Sequence, residues 1–388
     1  MADASNSGRR LRVVTLVDHL GTSGGGERLA MEISKRLDAS RFEAIHCASR
    51  YDPEHAGPAT RSAAAELEEA GVRVLGLGRT SARSVAEWRP LVSLLRREGV
   101  EVLHAHKFGS NVWAALLGRL GGVPAILAHE HTWSFEGQPL RRFLDRELIA
   151  RGTDAFIAVS TDDRRKMIDI ERIKAEDVTF VPNGIDPVPE GDGARVRAEL
   201  GIAPEAPVVV AVAVLREQKA LDVLIRAAAG LLAGHPDLRV LIAGSGPEEE
   251  RLHALVGSLG AERAVTLLGI RSDVPDLLAA ADVAALSSDY EGSPLAVMEY
   301  MDAALPVVAT RVGGVPDLIE DGVNGLLVEP QDPAGLQAAL GRLLGDREAA
   351  AEMGRRGRER RRSEFTIDRT VRTLELMYAE ILARKGRL

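Results

Sequence analysis

The sequence predicts an α/β protein made of two doubly wound parallel sheets, and three observations carry that expectation. At 388 residues the chain exceeds what one ordinary hydrophobic core supports and suits two domains. Short apolar runs alternate with amphipathic helical stretches, the rhythm of parallel βαβ units. A stretch rich in Pro, Gly and Asp, "VPNGIDPVPEGDG", interrupts the rhythm, which then restarts.

The first series of strand-like runs is "LRVVTLV", "FEAIHCA", "VRVLGL", "VEVLHAH", "PAILAHE" and "DAFIAVS". The second is "APVVVAVAVL", "LRVLIAG", "AVTLLG", "DVAALSS" and "LPVVAT". Domain boundaries follow at residues 1–187 and 188–366, and the last helical pattern, residues 367–388, is expected to cross back onto the first domain. Two such domains are expected to face each other across a cleft, with ligands at the carboxyl ends of the strands.

Composition removes several function classes. Hydrophobic content of 45% and charged content of 27% are those of a globular chain, and 4% aromatic residues offer no base-stacking platform, so nucleic acid is not an expected partner. The net charge of −8 lies in the second half: residues 1–187 hold 26 basic and 26 acidic side chains, the remainder 23 and 31. Only six of the 49 basic residues are lysine, so arginine clusters carry less functional information than usual. Cys47 is the single cysteine, which excludes an internal disulfide and fits a reducing compartment. With no 18-residue apolar segment and no apolar core in "MADASNSGRR", the expected location is cytoplasmic, including the inner face of the membrane.

Glycine turns are the first chemical signal. "HLGTSGGGERLA" places Gly24, Gly25 and Gly26 between a strand and a helix, where exposed N–H groups favour phosphate. Neither this turn nor "GSGPEE" has the third glycine of a dinucleotide fingerprint, which disfavours hydride transfer. "AGSGPEEE", with Gly244 and Gly246, "DYEGSPLAV" and "RVGGVPDLI" add three more turns at strand ends, a set suited to a diphosphate without a metal ion. Lys219, at the helix entry of "LREQKALDVL", adds a fixed positive charge or is a solvated surface lysine.

The second signal is a spacing. In "DYEGSPLAVMEY" Ser293 and Pro294 read as a helix start, with Ser capping and Pro at the first helical position. Glu291 is then on the entering loop and Glu299 inside the helix, so the two carboxylates have different jobs. Two His-x-His pairs, His104/His106 and His129/His131, end neighbouring strands, and each pair faces one way. Zinc chelation is one reading, without a clear third-ligand motif. Histidines hydrogen-bonded to backbone are the other.

"DYEGSPLAVMEYMDAALPVVATRVGGVPDLIEDGVNGLLVEPQD" resembles the donor-binding region of retaining nucleotide-sugar glycosyltransferases with the GT-B fold, family four. The resemblance spans almost the whole chain, including "GGGERLA", "VPNGID" and "LREQKALDVLIRAA". Its most specific element is Glu, seven residues, Glu, followed by "GGVPDLI". It implies that Glu299 accepts hydrogen bonds from both ribose hydroxyls, an acceptor-only task suited to a carboxylate. Glu291 would bind the transferred sugar, while backbone at Gly292, Ser293 and Leu295 meets sugar or phosphate. Gly24, Gly25, Gly26, Gly244, Gly246 and Ile270 complete the implied donor set. His131 matches the "EHT" histidine that faces sugar or phosphate, and His106, Lys107, Asn111 and Trp133 are assigned to the acceptor pocket. One departure stands out: the family's arginine position, five before the lysine, is Val214 here, so Arg216 is expected to supply the second diphosphate cation with Lys219. Ala220 replaces a usual glycine.

The implied activity is hexosyl transfer from a nucleoside diphosphate sugar, UDP-sugar first, to a hydroxyl acceptor with retention, without cofactor or protein-bound metal. The acceptor class stays open among small metabolites, growing glycans and lipid-linked glycans. Competing readings are a nucleotide-sugar 2-epimerase on the same architecture and a nucleotide-sugar-binding protein without catalysis. "SFEGQPLRRFLDRELIARG", with Phe135, Leu140, Phe143 and Leu144 among Arg141, Arg142 and Arg146, reads as a core helix with a solvated arginine face, or as an interfacial helix on anionic lipid. "RRGRERRR", Arg355 to Arg362, reads as a solvated helix face.

Overall fold

The structure is a computed structural model and describes residues 9–21, 24–81, 84–133 and 138–387. The chain forms two units, residues 1–183 with 367–388, and residues 184–366.

The first unit holds a seven-stranded parallel sheet: β1 (Leu11–Val17), β2 (Phe42–Ala48), β3 (Arg73–Gly76), β4 (Val102–His106), β5 (Ala125–Glu130), β6 (Ala155–Ala158) and β7 (Val178–Phe180), in the order β3-β2-β1-β4-β5-β6-β7. The second unit holds β8 (Val208–Val212), β9 (Arg239–Ala243), β10 (Val265–Leu267), β11 (Val283–Leu286), β12 (Val307–Thr310) and β13 (Leu326–Val328), ordered β10-β9-β8-β11-β12-β13. Every pairing is parallel, with helices between the strands, so both sheets are doubly wound. The strand order reverses between β1 and β4 and again between β8 and β11, and these switch points are where an open α/β sheet leaves a crevice for a ligand. Strands β7 and β13 are absent from the sequence reading. Each is only three residues long and lies at a sheet edge, as β10 does, but β10 was legible from the longer apolar run "AVTLLG" around it.

Every residue of the central strands β4 and β5 is buried, as expected for parallel strands covered on both faces. Their histidines are therefore interior residues despite lying at strand ends. The register pairs His106 with His129, which sets the two His-x-His segments side by side on one face. That face is covered by the helix Gly25–Arg36 and the C-terminal helix Ile367–Arg384, whose Ile367, Val371, Leu374, Tyr378, Ile381 and Leu382 join Val13, Leu29, Ile33 and Leu127 in one core. Tyr378 brings a hydroxyl into this apolar layer, 2.7 Å from His104 Nδ1.

Several sequence expectations are corrected. The helix Leu295–Asp302 has Pro294 at its N-cap position with no side-chain cap, so it starts one residue later than the Ser-Pro pair suggests; Glu291 is on the loop and Glu299 inside the helix. Arg361 is not on a solvated face: it is 1% exposed, beside Asp302 at 3.4 Å, and donates to the Ile185 and Asp186 carbonyls. No residue of the helix Pro139–Leu144 is buried, and Leu140 and Phe143 are 71% and 53% exposed. Its arginines turn inward, Arg141 over the Phe108 ring at 4.2 Å and Arg142 donating to Ile170 O, which reverses the expected core-and-arginine arrangement. Phe135 lies outside the described residues. No helix among the described residues is long and apolar enough to cross a membrane.

Docking of the C-terminal helix depends on apolar burial, and Leu374 is fully buried at its centre. Leu374→Ala is expected to lower stability by about 2–5 kcal/mol, read from the urea unfolding midpoint. A loss under about 1 kcal/mol would show that this helix contributes little.

Candidate active site

At the switch point of the second unit, the turn after β8 and the loop after β11 are bound to each other. Lys219 Nζ and Ser288 Oγ each donate to Glu291 Oε1 at 2.6 Å. Ser287 Oγ donates to Lys219 O, Asp289 N to Gln218 O, and Gln218 Nε2 to Tyr290 O. Glu291 is buried and Lys219 half-buried, so the pair is partly desolvated and its two charges depend on each other.

The turn after β12 supports this loop from the other side. Gly313 has φ +51°, and a Cβ there would lie 1.7 Å from the Glu291 carbonyl oxygen, so no side chain fits. Gly314 N then donates to Gly292 O at 2.7 Å. Gly292 and Ser293 are buried beside Glu291, and Glu299 is buried one helical turn further on. Glycines at 244 and 246 have a packing reason as well: a Cβ at Gly244 would be 1.9 Å from Ala213 O and one at Gly246 2.4 Å from Leu215 O. Gly244 N already donates to Gly269 O, so that N–H is not open to a phosphate, contrary to the sequence expectation. Ile270, next to Gly269, is 81% exposed.

Val214 is half-buried in the turn after β8, and Arg216 is exposed two residues on. The Arg216 side chain has no hydrogen bond or ion pair among the described residues, in contrast to Lys219.

The first unit builds a second constellation at the β1/β4 switch point. Gly24, Gly25 and Gly26 open the helix Gly25–Arg36 with no side-chain cap. A Cβ at Gly26 would lie 2.8 Å from Lys107 Cε and 3.1 Å from the His131 ring, so the glycine admits both. Lys107 begins the helix after β4 at φ +69°, a left-handed conformation that non-glycine residues rarely take, and its ammonium pairs with Glu27.

The histidines bond to one another rather than to backbone, which corrects the bland sequence reading. His104 Nε2 is 3.2 Å from His129 Nδ1, and His106 Nδ1 is 2.9 Å from His131 Nε2. Burial holds all four below the ordinary imidazole range, His131 at about 3, so they are neutral at physiological pH. Ring nitrogens of His104, His106 and His129 lie within 4.8 Å of one another, so the structure brings a third ligand to the pair that the sequence left without one.

Two residues assigned to an acceptor pocket have structural work instead. Asn111 is fully buried and bonds both the N–H and the carbonyl of His129 through its amide. Trp133 lies in the core, its indole N–H donating to Glu171 Oε1 at 2.8 Å. Both are polar-capable residues near a strand end, and sequence does not reveal which way such a side chain turns. Ser288 and Gln218 were missed, whereas Gly313 lies in the anticipated "RVGGVPDLI" turn; Ser288 had a signal in its place three residues before Glu291.

Family models place the chain. The model described as "Glycosyl transferases group 1" matches residues 193–360, and "Glycosyltransferase Family 4" matches residues 23–188. A D-inositol 3-phosphate glycosyltransferase of Acidothermus cellulolyticus is 32% identical over 310 residues, covering 74% of this chain and 68% of that protein. The chain belongs to glycosyltransferase family four.

A Nocardia farcinica protein of the same name is 36% identical over 230 residues, 56% of this chain, and the match spans about half, 51%, of that relative. The family-four fold is GT-B. It is shared with Anabaena HepE, solved in complex with UDP and glucose, at a TM-score of 0.82 and 22% identity, covering 96% of this chain and 100% of that one. Sucrose-phosphate synthase of Thermosynechococcus elongatus has a TM-score of 0.79 at 22% identity, covering 97% and 100%.

Behind the histidines, this family-four chain buries carboxyl groups. Burial pushes Glu130 up to about 8 and Asp163 up to about 7. Asp145 and Glu171 are also raised, by burial first and, for Glu171, by repulsion from Asp145. A carboxyl raised in the folded state stabilises fully below its unfolded value, roughly 4, and that contribution is lost as pH rises through the folded value. The buried histidines act oppositely, lowering stability as pH falls below roughly 6.5. Above about pH 7.5 the histidine contribution is complete and the carboxyls still change, so the melting temperature is expected to fall from pH 7.5 to 8.5, and Glu130→Gln to flatten the fall. A melting temperature that rises from pH 7.5 to 8.5 would show these carboxyls ionised in the folded protein.

Proposed function

We propose that this protein transfers a sugar from a nucleoside diphosphate sugar, with UDP as the nucleotide, to a hydroxyl of a small anionic acceptor, retaining the anomeric configuration. The observation that carries the reading is the Lys219–Glu291 pair at the second unit's switch point, held by Ser288 and backed by Gly313. The activities for which relatives are named support it: D-inositol 3-phosphate glycosyltransferases and an N-acetyl-alpha-D-glucosaminyl L-malate synthase of Bacillus anthracis, 31% identical over 191 residues. The UDP complexes of Anabaena HepE support the choice of nucleotide.

The donor diphosphate is anchored by Lys219, by the N–H groups of the Gly292–Leu295 turn and by Arg216. Arg216 suits this because it is exposed three residues before Lys219 and its guanidinium is engaged by nothing among the described residues. Glu299 accepts the ribose hydroxyls, and Glu291 the hydroxyls of the transferred sugar. Donor binding draws the Lys219 ammonium toward phosphate, which leaves Glu291 Oε1 with Ser288 and opens it to the sugar.

In the transfer step the bond between the anomeric carbon and the diphosphate oxygen breaks while the acceptor oxygen bonds to that carbon on the same face. The acceptor proton passes to the departing phosphate oxygen, so the products are the glycoside and the nucleoside diphosphate. Charge on the leaving group is met by Lys219, Arg216 and oriented N–H groups, and no metal ion takes part in the step. No side chain has to act as a strong base.

The test incubates the protein with UDP-sugars and small hydroxyl acids or polyol phosphates, with chelator present, and reads product and anomer by NMR. Retained-anomer product with UDP release is expected; an inverted product, or donor epimer without glycoside, would contradict the reading. Glu291→Ala is expected to lower kcat by about 1.5–3 kcal/mol, roughly ten- to a hundredfold. Glu299→Ala is expected to raise the donor KM more than it lowers kcat, because ribose contacts are alike in ground and transition states. Equal effects of both substitutions on kcat would show the roles wrongly divided.

A further inference from the structure

We propose that Glu27 and Lys107 select the charge of the acceptor: Glu27 is a resident counter-ion that holds the Lys107 ammonium until a phosphate or carboxylate group of the acceptor displaces it. The inference rests on the reading above for a small anionic acceptor, and goes beyond it in naming the groups that recognise the charge.

Both switch points carry a lysine–glutamate pair, with the signs exchanged. In the second unit the lysine follows β8 and the glutamate follows β11. In the first unit the glutamate follows β1 and the lysine follows β4, with the Lys107 ammonium donating to Glu27 Oε1. The two pairs differ in access. The side chain of Lys219 is 20% exposed and that of Lys107 41%. The first unit's ammonium is therefore the more open to an incoming anion, and its tie to Glu27 is the weaker one.

The surroundings of Lys107 call for more negative charge than Glu27 supplies. The helices Gly25–Arg36 and Lys107–Gly121 both begin without a side-chain cap, so their first N–H groups present positive potential. Gly24 and Gly26 bring the ammonium against the first of these ends: a Cβ at Gly26 would lie 2.8 Å from Lys107 Cε, and one at Gly24 3.6 Å from Lys107 Nζ. A cation there sits at the unfavourable pole of the helix dipole. Lys107 is held at it by a left-handed backbone, φ +69°, which itself costs energy. Glu27 brings a single negative charge, and its Oε2 is buried without a hydrogen-bond partner among the described residues. The His131 ring, whose Nδ1 is also buried without a partner, lies against Gly26. A salt bridge kept only to tie two helices together needs neither the strained backbone nor an open ammonium.

In the reading above, the donor diphosphate is met by Lys219, Arg216 and N–H groups of the second unit, which leaves Lys107 for the acceptor. A phosphate or carboxylate displaces Glu27 because it takes the ammonium and free helix N–H groups together. A neutral polyol has no charge to offer and meets an ammonium that is already satisfied.

The test compares matched acceptors on the intact protein, a polyol phosphate with the bare polyol and a hydroxy acid with its amide. It also titrates the polyol phosphate calorimetrically with UDP saturating. The wild type is expected to prefer the charged member of each pair. Lys107→Met is expected to lower that preference roughly ten- to a hundredfold, mainly through acceptor KM, and to abolish calorimetric binding. Glu27→Gln removes the competitor, so it is expected to lower the KM of the charged acceptor and to tighten binding of the polyol phosphate. The double variant is expected to use charged acceptors better than Lys107→Met does, because no stranded carboxylate repels them. A preference in Lys107→Met within about twofold of the wild type would overturn the proposal. So would a loss confined to donor KM, or binding blocked by UDP, since either assigns the ammonium to the donor. Glu27→Gln behaving like Lys107→Met would also overturn it, by making Glu27 a support of the lysine rather than its resident anion. Failure of the transfer reading would appear separately, as absent turnover in a wild type that still binds the polyol phosphate through Lys107.

Discussion

The contact between Lys219 and Glu291 is the constraint around which the second unit is arranged. A carboxylate and an ammonium held 2.6 Å apart with the carboxylate buried are stable only while each keeps the other. The loop after β11 therefore has to be held against the turn after β8, and three hydrogen bonds do so: Ser287 to Lys219 O, Asp289 N to Gln218 O and Gln218 to Tyr290 O, while Ser288 steadies Glu291 within the loop. The turn after β12 has to pass close behind, which only glycine at 313 permits. The helix Leu295–Asp302 follows that loop and holds Glu299 buried within it. A partly buried ion pair is a modest source of stability. It is a good device for a site that exchanges an internal anion for a diphosphate, since the desolvation of Lys219 is already in place before the ligand arrives.

The first unit solves a different problem, keeping polar groups ordered inside a parallel sheet buried on both faces. Its answer is an array in which imidazoles bond to imidazoles and to Tyr378 of the C-terminal helix. Neutral rings suit that layer, because a charged one would have no counter-ion within the core. The left-handed Lys107 and the glycine at 26 lie at the edge of this array, and local strain at such an edge is the usual mark of a ligand site. The C-terminal helix thereby links the end of the chain to the histidine layer through one hydroxyl and a row of apolar side chains.

Much of the fold was legible because burial on both faces writes parallel strands as apolar runs, and eleven of the strands announce themselves in this way. The two that did not, β7 and β13, are three-residue edge strands, each paired with the strand just before it in the chain. The grouping of Glu291, Lys219 and the glycine turns could be anticipated, since backbone turns that approach one another require glycine and leave a spacing behind. What could not be read was where polar side chains turn. Asn111 clamps the His129 backbone and Trp133 faces Glu171, although each could have faced solvent with the same strand and helix pattern. Arg361 was hidden among seven neighbours of similar composition, and only the helix register shows that it points inward to Asp302. Gly244 looked like a phosphate turn, yet its N–H and its space are both taken by backbone. A motif fixes where the chain bends; the partners of each polar atom are set by elements distant in sequence.

The central claim is that Lys219 and Glu291 act as one unit in donor use, and a double-mutant cycle on kcat/KM for the donor addresses it most directly. Lys219→Met and Glu291→Gln are compared with the double variant and the wild type under identical conditions. Removing either partner strands the other charge in a partly desolvated site, so the account predicts non-additivity, a coupling of about 0.5–3 kcal/mol, with the double variant losing less than the sum of the singles. Losses that add within about 0.3–0.5 kcal/mol would contradict it, because the two residues would then contribute independently.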